Sequence, residues 1–184
     1  VGIHGTYFCP PDYPACADEV NSFAWPMYDS AARVMVNEDS LPFHQGPLLA
    51  VAGDEFFYFH RAKEFGKSVA EFESRTRLTL GAAVAHYPSL VEKGAVVVFD
   101  EPRLDDNMKT LKGVRGGIGY TDDYIILIVA RAATVPDLAY IFQHVGADFA
   151  MNLDGGGSVA LSMDGSYRVG PGRLLPNAIV FVPK

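Results

Sequence analysis

The sequence predicts an α+β fold: a single domain with a mixed, largely antiparallel β-sheet and few helices. Three observations carry this. Short runs rich in β-branched and aromatic residues recur along the whole chain, and one well-formed amphipathic helix pattern interrupts them. The 18 glycines and 12 prolines supply the many turns that short strands need. At 184 residues the chain is about one domain long, enough to bury a core without staples. No internal repeat, low-complexity tract or linker divides it.

Val1-Gly2-Ile3 opens as a strand. Further strands are expected over 33–36, 48–52, 56–59, 89–92, 95–99, 124–130, 149–153, 159–163 and 178–182. Lys93-Gly94 and Asp164-Gly165 fall between neighbouring runs and read as hairpin turns. A helix is expected from 135 to about 145, with Thr134 as N-cap, Pro136 in the first turn and Asp137 completing a capping-box pair. Leu138, Ile141, Phe142 and Val145 would form its apolar stripe, and Gly146 its stop. A weaker helical pattern covers 62–73.

With 49% hydrophobic and 20% charged residues the composition is that of a soluble globular protein. The net charge of −7 argues against non-specific nucleic-acid binding, and an anionic substrate would need a local cluster of cations. No apolar run is long enough to span a bilayer. The chain begins at Val1, within a strand pattern, so an upstream signal peptide, strand or domain is an open expectation. Cys9 and Cys16 flank a short proline-rich stretch. A disulfide there would suit an oxidising compartment, with two free thiols as the alternative, and the pair lacks the further ligands of a structural zinc site.

The segment richest in chemistry is Asn152-Leu153-Asp154-Gly155-Gly156-Gly157-Ser158. A strand runs into three consecutive glycines, each of which loses more backbone freedom on folding than any other residue. A hairpin turn needs fewer, so close approach to this backbone is expected, by a substrate, a sugar face or an anion on exposed N–H groups. Asp154 brings a carboxylate to one side and Ser158 a hydroxyl to the other. The plainer alternative is a tight turn in which Asp154 caps its own backbone. A Walker-type phosphate loop is excluded, because no Gly-Lys-Ser/Thr follows.

This segment resembles the Asn-Leu-Asp-Gly-Gly-Gly-Ser signature of the phosphodiester glycosidases, a family that includes enzymes removing N-acetylglucosamine from phosphodiesters. Three further segments match in the same order: Gly2-Ile3-His4-Gly5-Thr6-Tyr7-Phe8 (the family's Ala-Ile-Asn-Gly-Gly-Phe-Phe), Arg115-Gly116-Gly117-Ile118-Gly119 (Arg-Thr-Ala-Ile-Gly) and Arg173-Leu174-Leu175-Pro176-Asn177-Ala178 (Arg-Pro-Val-Pro-Asn-Ala). Together they span nearly the whole chain. Arg75-Thr76-Arg77-Leu78 competes for the arginine motif but stands in the wrong place in the order. The chain departs from the pattern with His4 in place of asparagine, Thr6 in place of glycine and Gly116 in place of threonine.

The resemblance implies a hydrolase that cleaves the glycosidic bond of a sugar-1-phosphodiester, such as an N-acetylglucosamine phosphodiester, and releases sugar and a phosphomonoester. Its planar forks make Arg115 and Arg173 the candidates for the phosphate, with a salt bridge to a structural carboxylate as each one's alternative. Asp154 is the candidate catalytic carboxylate, activating water or stabilising an oxocarbenium-like sugar. His4 is a second catalytic candidate, as acid/base or phosphate donor, or else a satisfied strand histidine. Asn152, Gly155, Gly156, Gly157, Ser158, Asn177, Gly5 and Tyr7 are expected to line the substrate. A second carboxylate could come from Asp12, Asp18 or Glu19, and Tyr7, Phe8, Tyr13, Trp25 and Tyr28 could stack on sugars or belong to the core.

No cofactor is required by this chemistry, although Asp154, Asn152 and backbone carbonyls could hold calcium. The expected partner is a sugar phosphodiester or phosphorylated glycan, in a secreted or cell-envelope setting, with no nucleic acid and no membrane span. Two other readings compete: a non-catalytic module binding carbohydrate or cell-envelope exopolysaccharide, and a phosphodiesterase cutting the P–O bond.

Overall fold

Strands dominate the computed structural model, which describes residues 1–183. In chain order they are β1 (Gly2–His4), β2 (Met27–Asp29), β3 (Val34–Val36), β4 (Leu48–Ala52), β5 (Glu55–Phe59), β6 (Leu80–Ala85), β7 (Ser89–Glu92), β8 (Ala95–Val96), β9 (Gly113–Tyr120), β10 (Ile125–Ala133), β11 (Phe149–Asn152), β12 (Leu161–Met163), β13 (Ser166–Val169) and β14 (Ala178–Val180). The α-helices are α1 (Val69–Thr76), α2 (Asp106–Thr110) and α3 (Val135–His144). The strands pair antiparallel in three sheets, so the fold is α+β as the sequence predicts. By density of contacts the described chain divides into two compact units, Thr6–His86 and a second made of Val1–Gly5 with the chain from Tyr87 onward.

The Thr6–His86 unit holds the sheet β3-β2-β6-β4-β5. Its core includes Leu41, Leu48, Phe65 and Phe72, with the two phenylalanine rings stacked at 4.5 Å. β2 and β6 lie outside the expected strands. The sequence Leu-Gly-Ala-Ala-Val-Ala of β6 has little β propensity, and it is a strand because it fills the centre of the sheet between β2 and β4. The expected helix over 62–73 is instead a 3-10 turn, Ala62–Glu64, followed by α1. Gly66 breaks the path with φ +119, and the side chain of Ser68 accepts the Glu71 N–H to start a new helix. Cys9 and Cys16 form a disulfide.

The other unit holds two sheets, β13-β12-β1-β14 and β10-β9-β11-β7-β8. α3 begins at the predicted capping box, in which the Thr134 side chain accepts the Asp137 N–H and Asp137 accepts the Thr134 N–H. Its buried face is Val135, Leu138, Ala139 and Phe142, packed with Leu90, Val91 and Ala150. Ile141 and Val145, expected on the apolar stripe, are 36% and 51% exposed, so the buried stripe is turned towards Val135 and Ala139 instead. Both predicted hairpin turns are present, with positive φ at Lys93, Gly94, Asp164 and Gly165.

β9 lies outside the expected strands because four of its residues are glycines, which weaken strand propensity. The sheet needs them. A Cβ at Gly117 would lie 2.7 Å from Phe142 Cε2, and one at Gly119 would lie 2.7 Å from the Phe149 carbonyl, so close packing of α3 and β11 excludes side chains there. β13, also unpredicted, completes the Asp164-Gly165 hairpin. The expected strand 95–99 shortens to β8 and then turns through Val98–Asp100, whereas β10 runs on to Ala133 through an irregularity after Ala130. No described helix is long and apolar enough to cross a membrane.

Candidate active site

β11 lies between β9 and β7 and delivers the glycine loop. Asn152, at its end, is buried and donates from Nδ2 to the Tyr87 carbonyl at 3.0 Å, while its Oδ1 meets no donor among the described residues. The Leu153 N–H donates to the Gly116 carbonyl at 2.9 Å and the Asp154 N–H to the Gly5 carbonyl at 3.3 Å. These bonds hold both sides of the backbone as it leaves the sheet. The chain then turns through a 3-10 segment, Gly156–Ser158.

Inside that turn sits the Asp154 carboxylate. Its Oδ1 accepts the Gly155 N–H at 2.8 Å, and it is hydrogen-bonded to the buried Ser158 hydroxyl. Burial raises its pKa above the ordinary aspartate value, against the opposing pull of the Ser158 and Gly155 hydrogen bonds and the charges of His4 and Arg173. A carboxylate in that state is a stronger base than one in water.

Each glycine of the loop has its own physical reason. A Cβ at Gly155 would lie 3.2 Å from Arg115 Nη1, and one at Gly157 would lie 3.0 Å from Arg173 Nη2 and 3.2 Å from its Nε. Gly156 meets nothing within 4 Å but takes φ +60, a conformation that L side chains rarely adopt. The backbone is therefore approached closely, as the triple glycine predicts, and the approaching groups are two guanidinium side chains of the protein itself. Gly5 follows the same rule, since a Cβ there would lie 1.8 Å from Asn177 Oδ1.

Arg115 stands on β9 opposite Ala130. Its Nε donates to the Ala133 carbonyl at 3.3 Å and its Nη2 to the Leu111 carbonyl at 2.8 Å. Burial draws its pKa down from the usual guanidinium value, with the charge of Asp105 opposing. Carbonyl oxygens orient this guanidinium without cancelling its charge. Arg75, the competing arginine, lies in the other unit and binds the Glu64 and Phe65 carbonyls.

His4 is buried on β1, between the loop and β9. Its Nε2 lies 2.7 Å from the Asp154 carbonyl oxygen, and its Nδ1 lies 3.1 Å from the Ala160 carbonyl and 3.2 Å from the Ala160 N–H. Burial lowers its pKa, against the bonds to Ala160 and Asp154 and the Asp154 charge. A Cβ at Gly116 would fall 2.2 Å from His4 Cε1 and 2.7 Å from Nε2, so the ring occupies the space a side chain at 116 would need. A cavity of about 320 Å³ opens on another side of the same histidine, lined largely by Ile3, Ala160, Tyr167, Leu175 and Val180.

One unit thus gathers His4, Gly5, Arg115, Asn152, Asp154, Gly155, Gly156, Gly157, Ser158, Arg173 and Asn177. Tyr7 belongs to the other unit, where its ring lies 6.3 Å from Trp25. Phe8 and Tyr28 are core residues there, and Asp12, Asp18 and Glu19 are exposed. Gly116, Ala160 and Gly172 were not among the expected site residues. Glycine inside a strand is a sign of close backbone approach and could have marked Gly116. The bonds of Ala160 to a histidine 156 residues away, and of the Gly172 N–H to the Gly157 carbonyl at 2.7 Å, have no local sequence signal.

A half-buried carboxylate and two guanidinium groups meet on one glycine loop of an antiparallel α+β frame. The family model for phosphodiester glycosidase matches residues 32–182, and the chain belongs to that family. The catalytic domain of zebrafish N-acetylglucosamine-1-phosphodiester alpha-N-acetylglucosaminidase, auto-inhibited by its pro-peptide, shares the fold with a TM-score of 0.64 at 13% identity, over 92% of this chain. The chain spans 55% of that structure. A hypothetical protein from Synechocystis aligns over 53% of this chain and 19% of its own, at 24% identity and a TM-score of 0.44. No curated protein sequence matches the chain.

Proposed function

We propose that this protein hydrolyses the glycosidic bond of a sugar-1-phosphodiester, with an N-acetylglucosamine phosphodiester as the substrate class. The observation that carries the reading is the position of Asp154, a half-buried carboxylate of raised pKa on a loop packed by Arg115 and Arg173. Glycosidases ordinarily need a carboxylic acid to protonate a poor leaving group. A phosphomonoester is a weak base and leaves without strong acid help, so one carboxylate and two cations suffice. Water attacks C1 of the sugar, Asp154 takes its proton, and the C1–O bond breaks. The electron pair departs with the phosphate oxygen, and the guanidinium groups stabilise the growing charge there.

His4 holds the loop, with its ring nitrogens turned to backbone groups. Asn152, Ser158 and Asn177 orient the carboxylate and the sugar. The Cys9–Cys16 bond supports a secreted or cell-envelope setting. Because the family match crosses both compact units, residues 1–184 are read as one functional domain.

The deciding experiment uses UDP-N-acetylglucosamine and simple N-acetylglucosamine-1-phosphodiesters in ¹⁸O-water, with prompt analysis of products. Label in the sugar supports C–O cleavage. Label only in the phosphate would replace this reading with a phosphodiesterase, and glycan binding without turnover, unaltered by Asp154→Asn, with a binding module. Loss of activity on chelation would bring in calcium.

A further inference from the structure

The two departures at His4 and Gly116 meet in space. In neutral histidine one ring nitrogen donates and the other accepts. The Asp154 carbonyl can only accept, so Nε2, 2.7 Å away, must carry the proton. Nδ1 lies 3.1 Å from the Ala160 carbonyl, which would serve only a cationic ring, and 3.2 Å from the Ala160 N–H; burial disfavours the cation, so Nδ1 is a lone pair that accepts the N–H. The backbone His4 N–H donates to the Ala160 carbonyl at 3.1 Å. A single residue therefore grips the chain just before the three glycines and again just after Ser158, closing the loop that carries the Asp154 carboxylate.

The space for the grip comes from β9. The three atoms closest to a Cβ at Gly116 all belong to the His4 ring, and the Gly116 backbone is not in the left-handed region, so a side chain there is excluded by His4 alone. Both ring nitrogens are committed to backbone groups, which leaves none to move a proton to substrate. Asp154 is the titratable group that acts on the ring electrostatically.

We propose that His4 is a positioning residue: as the neutral Nε2–H tautomer it clamps residues 154 and 160 and fixes the Asp154 carboxylate, in a space that exists because residue 116 is glycine. The catalytic part of this statement rests on the glycosidase reading above, and the structural part does not.

Two measurements separate them. In the wild-type protein, long-range ¹H–¹⁵N correlation spectra, assigned by loss of a signal in His4→Gln, should show His4 as the Nε2–H tautomer. A Nδ1–H tautomer, or a cationic ring at neutral pH, would overturn the clamp whatever the protein catalyses.

The second is a double-mutant cycle of His4→Ala and Gly116→Ala. Overpacking by Gly116→Ala should lower the Tm by about 3–10 °C with His4 present and by little in the His4→Ala background. Equal losses in both backgrounds would refute the steric coupling. On a substrate the protein turns over, each single change should lower kcat about 10–100-fold through misplacement of Asp154, with KM changed far less. Both limbs of the pH profile should survive in His4→Ala, at a lower plateau. Loss of one limb would make His4 an acid/base and end the positioning role. Absence of turnover on every sugar phosphodiester would count against the glycosidase reading, while the tautomer and the stability cycle would still decide the clamp.

Discussion

Neighbouring glycines in the Asp154 loop should fail in opposite ways when replaced by alanine. At Gly157 the added Cβ meets Arg173 Nη2 at 3.0 Å and Nε at 3.2 Å, the far end of a flexible side chain, and the backbone is not left-handed. The guanidinium must give by a few tenths of an ångström. Folding changes little, because the strain is small and alanine narrows the unfolded ensemble by about 0.4–1 kcal/mol relative to glycine. Stability should stay within about 1 kcal/mol of wild type, a Tm change of no more than about 4 °C. If Arg173 holds the phosphate, that displacement should lower kcat/KM by roughly 10–100-fold.

At Gly156 the Cβ meets open space, but φ is +60. The left-handed conformation costs alanine about 1–2 kcal/mol, a Tm loss of about 2–8 °C, and the guanidinium groups are undisturbed. Gly156→Ala should therefore retain most of its activity at a temperature well below its Tm. Thermal melts and initial rates on an N-acetylglucosamine phosphodiester measure both effects. Full activity in Gly157→Ala, or a greater loss of activity in Gly156→Ala than in Gly157→Ala, would refute the view that Arg173 acts from its place on the loop.

Asp154→Asn should lower kcat by about 100-fold or more through loss of the base. In the wild type the acid limb of kcat/KM should lie above the ordinary carboxylate range. A carboxyl whose folded pKa is raised favours the fold while protonated, and that contribution is lost as pH rises through the folded pKa. Asp154→Asn should accordingly melt above wild type at neutral pH, and the difference should vanish below the pKa of the unfolded chain; melts across pH test both statements. Arg115→Lys and Arg173→Lys keep the charge but lose the fork, and each should lower kcat/KM about 10-fold or more by weakening the hold on phosphate, measured on matched phosphodiesters. Replacing Cys9 and Cys16 by serine opens a loop with a sequence separation of 7, which chain entropy values at about 2–3 kcal/mol. The Tm should fall by about 5–10 °C, with kcat unchanged at temperatures where the variant is folded.

Features written into contiguous sequence were legible without a structure. The α3 capping box, the Lys93-Gly94 and Asp164-Gly165 hairpins and the Asp154 glycine loop each depend on residues a few positions apart, whose local chemistry selects the same conformation in any setting. Four separated motifs also implied the family that the model match over 32–182 shows. What failed depended on distant neighbours. β9 and β6 are strands despite their glycines and alanines because Phe142 and the flanking strands close over them. The helix expected over 62–73 broke at Gly66, where the conformation is set by the surrounding fold.

The loop shows the division most clearly. The sequence by itself determined that something presses on the backbone beside Asp154, since three glycines in a row are entropically costly without a reason. Only the tertiary structure decided what presses: Arg115 at Gly155, Arg173 at Gly157, and His4 at Gly116 across the neighbouring strand. Those contacts join residues up to about 110 positions apart. Local propensity carries no information at that range, and only packing brings the partners together.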